Sequence, residues 1–270
     1  MPILLCMERW RKCWGYLKNK YRLLNEKKYT TIAGTLVFFL LMSLVPMLFW
    51  ATLLFGEFKM EVRTLGFSGL EEVSALLEYV RKEAENATSG ASVFLLMTTL
   101  YSATNLFYQM RKSGEIIYGV PYDGGGLKTR LSAVVALFLL LAIIVMAVLA
   151  FAVVSFFFSR FFSGGTMAVL RYLLLAVLAF LLALFLNLYI CPYRASPKSF
   201  LLGSALTVVA WGISILGLTL YLRYGNTDRL YGALNTVIVF LLWLYVLTVC
   251  FVAGVIFNSE KVLQGKRLMR

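Results

Sequence analysis

The stretch from Tyr231 to Asn258 constrains the fold of this chain more than any other feature. Its 28 residues include no Asp, Glu, Lys or Arg. About 20 apolar residues are enough for a helix to cross the hydrocarbon core of a bilayer, so the stretch predicts a transmembrane helix. Trp243 and Tyr245 lie near its middle, whereas aromatic residues with a polar group usually lie at the membrane interface. We therefore expect this pair to face protein or a cavity.

The rest of the chain has the same apolar character. Hydrophobic residues make up 61% of the 270 residues and charged residues 14%, whereas about 45–50% of an ordinary soluble domain is apolar. A soluble protein of this composition would expose too much apolar surface. We predict an all-α integral membrane protein whose transmembrane domain, residues 31–259, has six helices, at about 31–55, 91–110, 131–158, 172–191, 198–222 and 231–258.

The N-terminal segment, residues 1–30, is basic and amphipathic. Trp10, Trp14 and Tyr21 recur at helical spacing, and Lys and Arg fill most of the positions between them. A basic helix with Trp on its apolar face is typical of a segment that lies in the membrane interface. We therefore predict a surface helix here.

Three shorter segments complete the organisation. Ser68 begins a capping-box spacing that predicts an extracytoplasmic amphipathic helix at about 69–85. The glycine-rich residues 123–129 do not match the spacing of a phosphate-binding loop, so we predict a flexible turn. Residues 260–270 are predicted to form a basic cytoplasmic tail.

Basic residues are distributed unevenly between the two sides of the predicted membrane domain. The side that carries both termini has 18 of the 26 Lys and Arg, and the acidic residues leave it with the whole net charge of +13. Cytoplasmic loops are enriched in Lys and Arg, so both termini are predicted to be cytoplasmic. This distribution favours anionic lipid headgroups as partners and does not favour nucleic acid.

The residues needed for several kinds of chemistry are missing. The chain has no His, and its four Cys lack the close pairing of a zinc site. Apart from Lys198 at the very start of the fifth, no predicted span contains Asp, Glu, Lys or Arg, which argues against a proton-coupled pump and against an intramembrane protease. We therefore expect no enzyme activity, no catalytic residue, no metal and no cofactor.

Uncharged polar and aromatic side chains recur at similar depth in four predicted spans. Pro46 cannot donate a backbone hydrogen bond and is predicted to kink the first span near Met42. Two interpretations of the set stay open: hydrogen bonds between helices, worth roughly 0.6–2 kcal/mol each, or the lining of a cavity for an amphipathic molecule. The candidates for cavity lining are Ser43, Pro46, Tyr101, Ser102, Thr104, Asn105, Trp211, Trp243 and Tyr245.

Four cations lie at the predicted cytoplasmic rim: Arg111, Lys112, Lys128 and Arg130. They are candidates for binding an anionic lipid headgroup. The alternative interpretation is the ordinary positive bias of cytoplasmic loops. Membrane lipids are the expected partners, and the sequence leaves a homo-oligomer open.

Several short motifs occur in a familiar order. The first span contains Ser43-Leu44-Val45-Pro46, the second Leu100-Tyr101-Ser102-Ala103, and the last Trp243-Leu244-Tyr245 followed by Gly254 and Asn258; Gly203 opens the fifth. In this order and spacing they resemble the YihY/BrkB family of bacterial inner-membrane proteins, once labelled ribonuclease BN, from about residue 25 to 260. Ile256 stands where that family often carries Glu.

The resemblance implies a multi-pass protein of the bacterial cytoplasmic membrane with six helices. Our leading hypothesis is a transport-type protein that moves a lipid or another amphipathic envelope molecule. A second hypothesis is a non-catalytic scaffold that binds envelope partners through the helix at 69–85. A ribonuclease is disfavoured because the predicted cytoplasmic segments have no His and only five acidic residues to build a site.

Overall fold

The computed structural model describes residues 15, 18, 20–57, 91–121, 125–158, 165–193, 195–224 and 233–268. These residues form six long helices and one short 3₁₀ helix, and they contain no strand. The predicted all-α class is confirmed. The helices are α1 (Tyr29–Glu57), α2 (Ala91–Tyr118), α3 (Gly125–Phe158), α4 (Gly165–Ile190), the 3₁₀ helix (Pro197–Phe200), α5 (Leu201–Tyr224) and α6 (Ala233–Leu268).

Four stretches of helix are long and apolar enough to cross a membrane. They are Gly126–Val154, Val169–Ile190, Pro197–Tyr224 and Val237–Leu263, and α1 adds the shorter apolar helix Tyr29–Leu44. These stretches support a membrane protein. The fifth and sixth spans, and the side on which each terminus lies, stay predictions.

Some helices extend beyond the predicted spans. α2 continues from the predicted end at residue 110 to Tyr118, and α3 begins at Gly125. The turn predicted for residues 123–129 is therefore wrong from Gly125 onward. Glycine weakens the interior of a helix, but here it lies in the first turn, where backbone N–H groups have no intrahelical acceptor in any case. As a result, Lys128 and Arg130 belong to α3.

Part of the surface predictions falls outside the described residues. The predicted helix at 69–85 does, as do Trp10 and Trp14. Of the N-terminal segment, residues 20–26 are helical, and Lys28 has a left-handed backbone (φ 51°) just before α1 begins. The described residues of the predicted tail continue α6 as far as Leu268.

The described chain divides into two compact units. The first, which we call the α5–α6 unit, comprises the described residues of 1–37, 113–120 and 190–270. The second, the α2–α3 unit, comprises those of 38–112 and 121–189.

In the α5–α6 unit, the two helices cross at a pair of buried glycines. A Cβ atom on Gly254 would collide with the hydroxyl of Thr207 and lie 2.8 Å from the carbonyl oxygen of Gly203. A Cβ on Gly203 would collide with the Gly254 carbonyl and the Asn258 side chain. Small residues let helix backbones approach closely in membranes, and only glycine fits both positions here.

Asn258 ties the N-terminal end of α5 to α6. Its Oδ1 accepts a hydrogen bond from the Gly203 backbone N–H (2.8 Å), and its Nδ2 donates one to the Phe200 carbonyl (3.1 Å). The side chain is 1% exposed, so both polar ends are satisfied by buried backbone groups. The motifs that carry the family resemblance include Gly203, Gly254 and Asn258. In the structure these three residues pack against one another where α5 meets α6.

An ion pair joins the N-terminal segment to the end of α6. The Lys20 ammonium pairs with the Glu260 carboxylate and lies 5.0 Å from the centroid of the Phe257 ring. Burial lowers the pKa of Lys20, and the nearby Lys261 charge lowers it further. The segment that precedes α1 is therefore held against α6.

Candidate anion site at Arg130

In the α2–α3 unit, Arg130 of α3 donates hydrogen bonds to two side chains of α2. Its Nη1 lies 2.7 Å from Asn105 Oδ1, and its Nη2 lies 3.0 Å from the Tyr101 hydroxyl. The sequence had placed Tyr101 and Asn105 in the uncharged set and Arg130 among the rim cations. The structure brings these three residues into one cluster.

Two tyrosine rings lie against the Arg130 guanidinium. Its central carbon is 4.3 Å from the ring centroid of Tyr101 and 4.0 Å from that of Tyr108. Cations within about 6 Å of a ring centroid are attracted by the negative ring face. Tyr108 was not among the predicted site residues, although its spacing from Tyr101 and Asn105 places all three on one face of α2. We call Tyr101, Asn105, Tyr108 and Arg130 the Arg130 cluster.

The charge of Arg130 has only neutral neighbours in this cluster. The ion pairs Lys20–Glu260 and Arg22–Glu26 do not involve Arg130. An arginine stays charged in proteins, and its planar guanidinium binds carboxylate and phosphate through two parallel hydrogen bonds. Arg130 is half-buried and Tyr101 is 58% exposed. The cluster is therefore suited to bind an anion.

Ser102, next to Tyr101, contacts α1 at Pro46. Helix α1 runs through Pro46 without interruption, and because proline has no N–H, the Met42 carbonyl lacks its usual intrahelical donor. The Ser102 hydroxyl lies 3.5 Å from that carbonyl oxygen and donates to it. The buried Ser43 hydroxyl donates within α1, to the carbonyls of Phe39 and Leu40. We call Met42–Pro46 the proline turn.

The remaining uncharged candidates do not contact Arg130 through any hydrogen bond described. The Thr104 hydroxyl donates to the Tyr101 carbonyl of its own helix (2.9 Å). In the α5–α6 unit, Trp211 Nε1 donates to the Leu247 carbonyl of α6 (2.9 Å). Trp243 and Tyr245 are half-buried, and Trp243 Nε1 is buried without a hydrogen-bond partner among the described residues.

The other three candidate cations have different surroundings. The Arg111 guanidinium lies 4.3 Å from the ring centroid of Tyr189, and the same ring makes an edge contact with Phe107 (5.6 Å between centroids). Lys112 and Lys128 are exposed. Arg130 thus shares with Arg111 a position against a tyrosine ring, and it differs from the two exposed lysines in being half-buried.

The described residues contain no group of three or more His, Cys, Asp or Glu that could hold a metal ion. The chemistry available at the Arg130 cluster is therefore that of a cation, two phenol rings and an amide. These groups bind and orient an anion.

Comparison with known proteins gives one match. The sequence model of the family described as Virulence factor BrkB matches residues 21–267, which is nearly the whole chain. No curated protein matches the chain significantly, and no solved structure does. The family match confirms the resemblance inferred from the motifs, and the apolar helices agree with it. The chain belongs to the BrkB family of membrane proteins.

Proposed function

We propose that the protein moves a lipid or another amphipathic envelope molecule across or within the membrane, and that the Arg130 cluster binds the anionic group of that molecule. One observation carries the proposal: near the start of a largely apolar helix, the Arg130 guanidinium makes its hydrogen bonds and ring contacts, within the described part of the chain, with neutral groups. A charge at the edge of an apolar region is costly unless it is paired, so Arg130 should attract an anion that reaches it.

The surface beside Arg130 suits the apolar part of such a molecule. Leu127, Leu131, Val135 and Phe138 follow one another on α3 at helical spacing and are all exposed. Leu127 is 85% exposed, and it lies within one turn of Arg130. A ligand with an anionic headgroup and an apolar tail can therefore contact Arg130 and this stripe together.

The proposed setting is the bacterial cytoplasmic membrane, crossed six times with both termini in the cytoplasm. The excess of Lys and Arg on the side of the termini supports this orientation. The Arg130 cluster would then face the cytoplasmic leaflet, which supplies the lipids with anionic headgroups. In this proposal the protein binds and moves its ligand without catalysis, and membrane lipids are its partners.

Reconstituted vesicles test this function. The purified protein is incorporated into vesicles that contain a fluorescent phosphatidylglycerol, and a membrane-impermeant quencher reports how fast protected lipid reaches the outer leaflet. We expect faster exposure than in protein-free vesicles or in vesicles with an unrelated helical membrane protein. Rates equal to both controls, for every labelled anionic lipid, would contradict the proposal.

A further inference from the structure

We infer that Ser102 couples the occupancy of the Arg130 cluster to the proline turn of α1. The inference rests on the proposed function, because it takes the Arg130 cluster as the place where the anionic group binds. Anion binding at the Arg130 cluster then changes the conformation of helix α1.

The proline turn of α1 is weakly held. The Met42 carbonyl depends on a donor from another helix, since Pro46 offers no N–H. The Ser102 contact that supplies it is weak, because its O···O distance of 3.5 Å exceeds the roughly 2.5–3.0 Å of an ordinary hydroxyl hydrogen bond. Nearby, Ser43 bonds back to the Phe39 carbonyl, and bonds of this kind often bend helices. A small shift of Ser102 would therefore change the backbone bonding of α1.

Ser102 lies beside the residues of α2 that hold Arg130. It directly follows Tyr101 in the sequence, and Asn105 lies within one turn of it. Ser102 contacts α1, while Tyr101 and Asn105 hold Arg130 of α3. One turn of α2 therefore contacts two other helices: Ser102 contacts α1, and Tyr101 and Asn105 contact α3.

An anion bound at Arg130 would change these contacts. Phosphate and carboxylate oxygens are stronger acceptors for a guanidinium than a neutral amide or phenol oxygen. A bound anion thus competes with Asn105 and Tyr101 for the N–H groups of Arg130 and loosens this turn of α2. The hydrogen bond from the Ser102 hydroxyl to the Met42 carbonyl then weakens, and the proline turn opens. When no anion is bound, the proline turn stays closed.

Amide hydrogen exchange measures the response directly. The protein is placed in phosphatidylcholine nanodiscs with or without phosphatidylglycerol, and exchange is followed in a peptide that covers residues 36–46. Phosphatidylglycerol binding is measured in parallel by native mass spectrometry. For the native chain we expect phosphatidylglycerol to raise exchange about three- to twentyfold, which is the range set by one interhelical hydrogen bond.

Four variants test anion binding at Arg130 and the response of α1 separately. Ser102→Ala should bind phosphatidylglycerol as the native chain does but exchange fast with or without it. Pro46→Ala restores the N–H to Met42 and should exchange slowly in both lipids. Arg130→Gln should show neither binding nor response. Ser132→Ala, whose lost hydroxyl bonds only to the Thr129 carbonyl of its own helix in the structure, should behave like the native chain.

Two results would overturn the inference and leave the proposed function standing. One is Arg130-dependent binding with unchanged exchange in the native chain. The other is a Ser102→Ala or Pro46→Ala protein that responds to phosphatidylglycerol as the native chain does. A native chain without Arg130-dependent binding would instead overturn the proposed function, and the inference with it.

Discussion

Gly254→Val should destabilise the α5–α6 unit strongly, lowering the apparent Tm of the protein in detergent by about 6–12 °C. The Val side chain would begin where the Thr207 hydroxyl already lies and where the Gly203 carbonyl is only 2.8 Å away. Backbone atoms cannot rotate aside, so the two helices must separate. Overpacking of a tight contact costs about 3 kcal/mol at its upper end, and each kcal/mol shifts Tm by roughly 2–4 °C.

Gly212→Val is the matched control for this prediction. Gly212 lies on α5 and has no other heavy atom within 4 Å of the position a Cβ would take. The same change of residue there should leave the apparent Tm within about 2 °C of the native value. Thermal unfolding followed by size-exclusion of the detergent-solubilised protein compares the two variants. Equal midpoints for Gly254→Val and Gly212→Val would show that the glycine crossing does not hold the helices together.

Arg130→Gln should weaken phosphatidylglycerol binding, and slow its translocation, by about ten- to hundredfold. A hydrogen bond to a charged group contributes roughly 1.5–3 kcal/mol, which sets this range. Gln keeps a polar end but loses the positive charge, the fork of N–H donors and the attraction to the Tyr101 and Tyr108 rings. Arg130→Lys keeps the charge without the fork, so its loss should be smaller.

Arg223→Gln controls for the loss of one positive charge beside a tyrosine. Arg223 is exposed at the end of α5, and its guanidinium lies 5.9 Å from the Tyr224 ring centroid. An exposed charge contributes little, so binding should change by no more than about twofold. If Arg130→Gln and Arg223→Gln reduce binding equally, the basic surface as a whole attracts the lipid and the Arg130 cluster has no special role.

The long helices could be predicted well because hydrophobic length reports directly on a membrane crossing. The uncharged run at Tyr231–Asn258 lies within α6 over most of its length, and four apolar stretches suited to a span were found. The helix ends were harder. α2 continues through Arg111 and Lys112 to Tyr118, because a helix need not end where the apolar residues do. The glycines at 125–126 were interpreted as part of a turn because glycine is common in turns, but both lie in the first turn of α3.

Three residues of the candidate site were among the sequence candidates, but their arrangement could not be predicted. Tyr101, Asn105 and Arg130 were each singled out from residue type and position. Their meeting depends on the register between α2 and α3, which a hydropathy pattern does not encode. Tyr108 was missed although it shares a helical face with Tyr101. Pro46 predicted a freed carbonyl, yet only the packed helices reveal that Ser102 supplies the donor.

An experimental structure in nanodiscs that contain phosphatidylglycerol tests the anion site most directly. We expect density for a phosphate group within hydrogen-bond distance of the Arg130 guanidinium, with the lipid tails along the α3 stripe that contains Leu127 and Leu131. In the Arg130→Gln protein, the phosphate density near residue 130 should disappear. Under conditions where the native protein translocates the lipid, an Arg130 that still bonds only to Asn105 and Tyr101, with lipid density elsewhere, would contradict the proposed site.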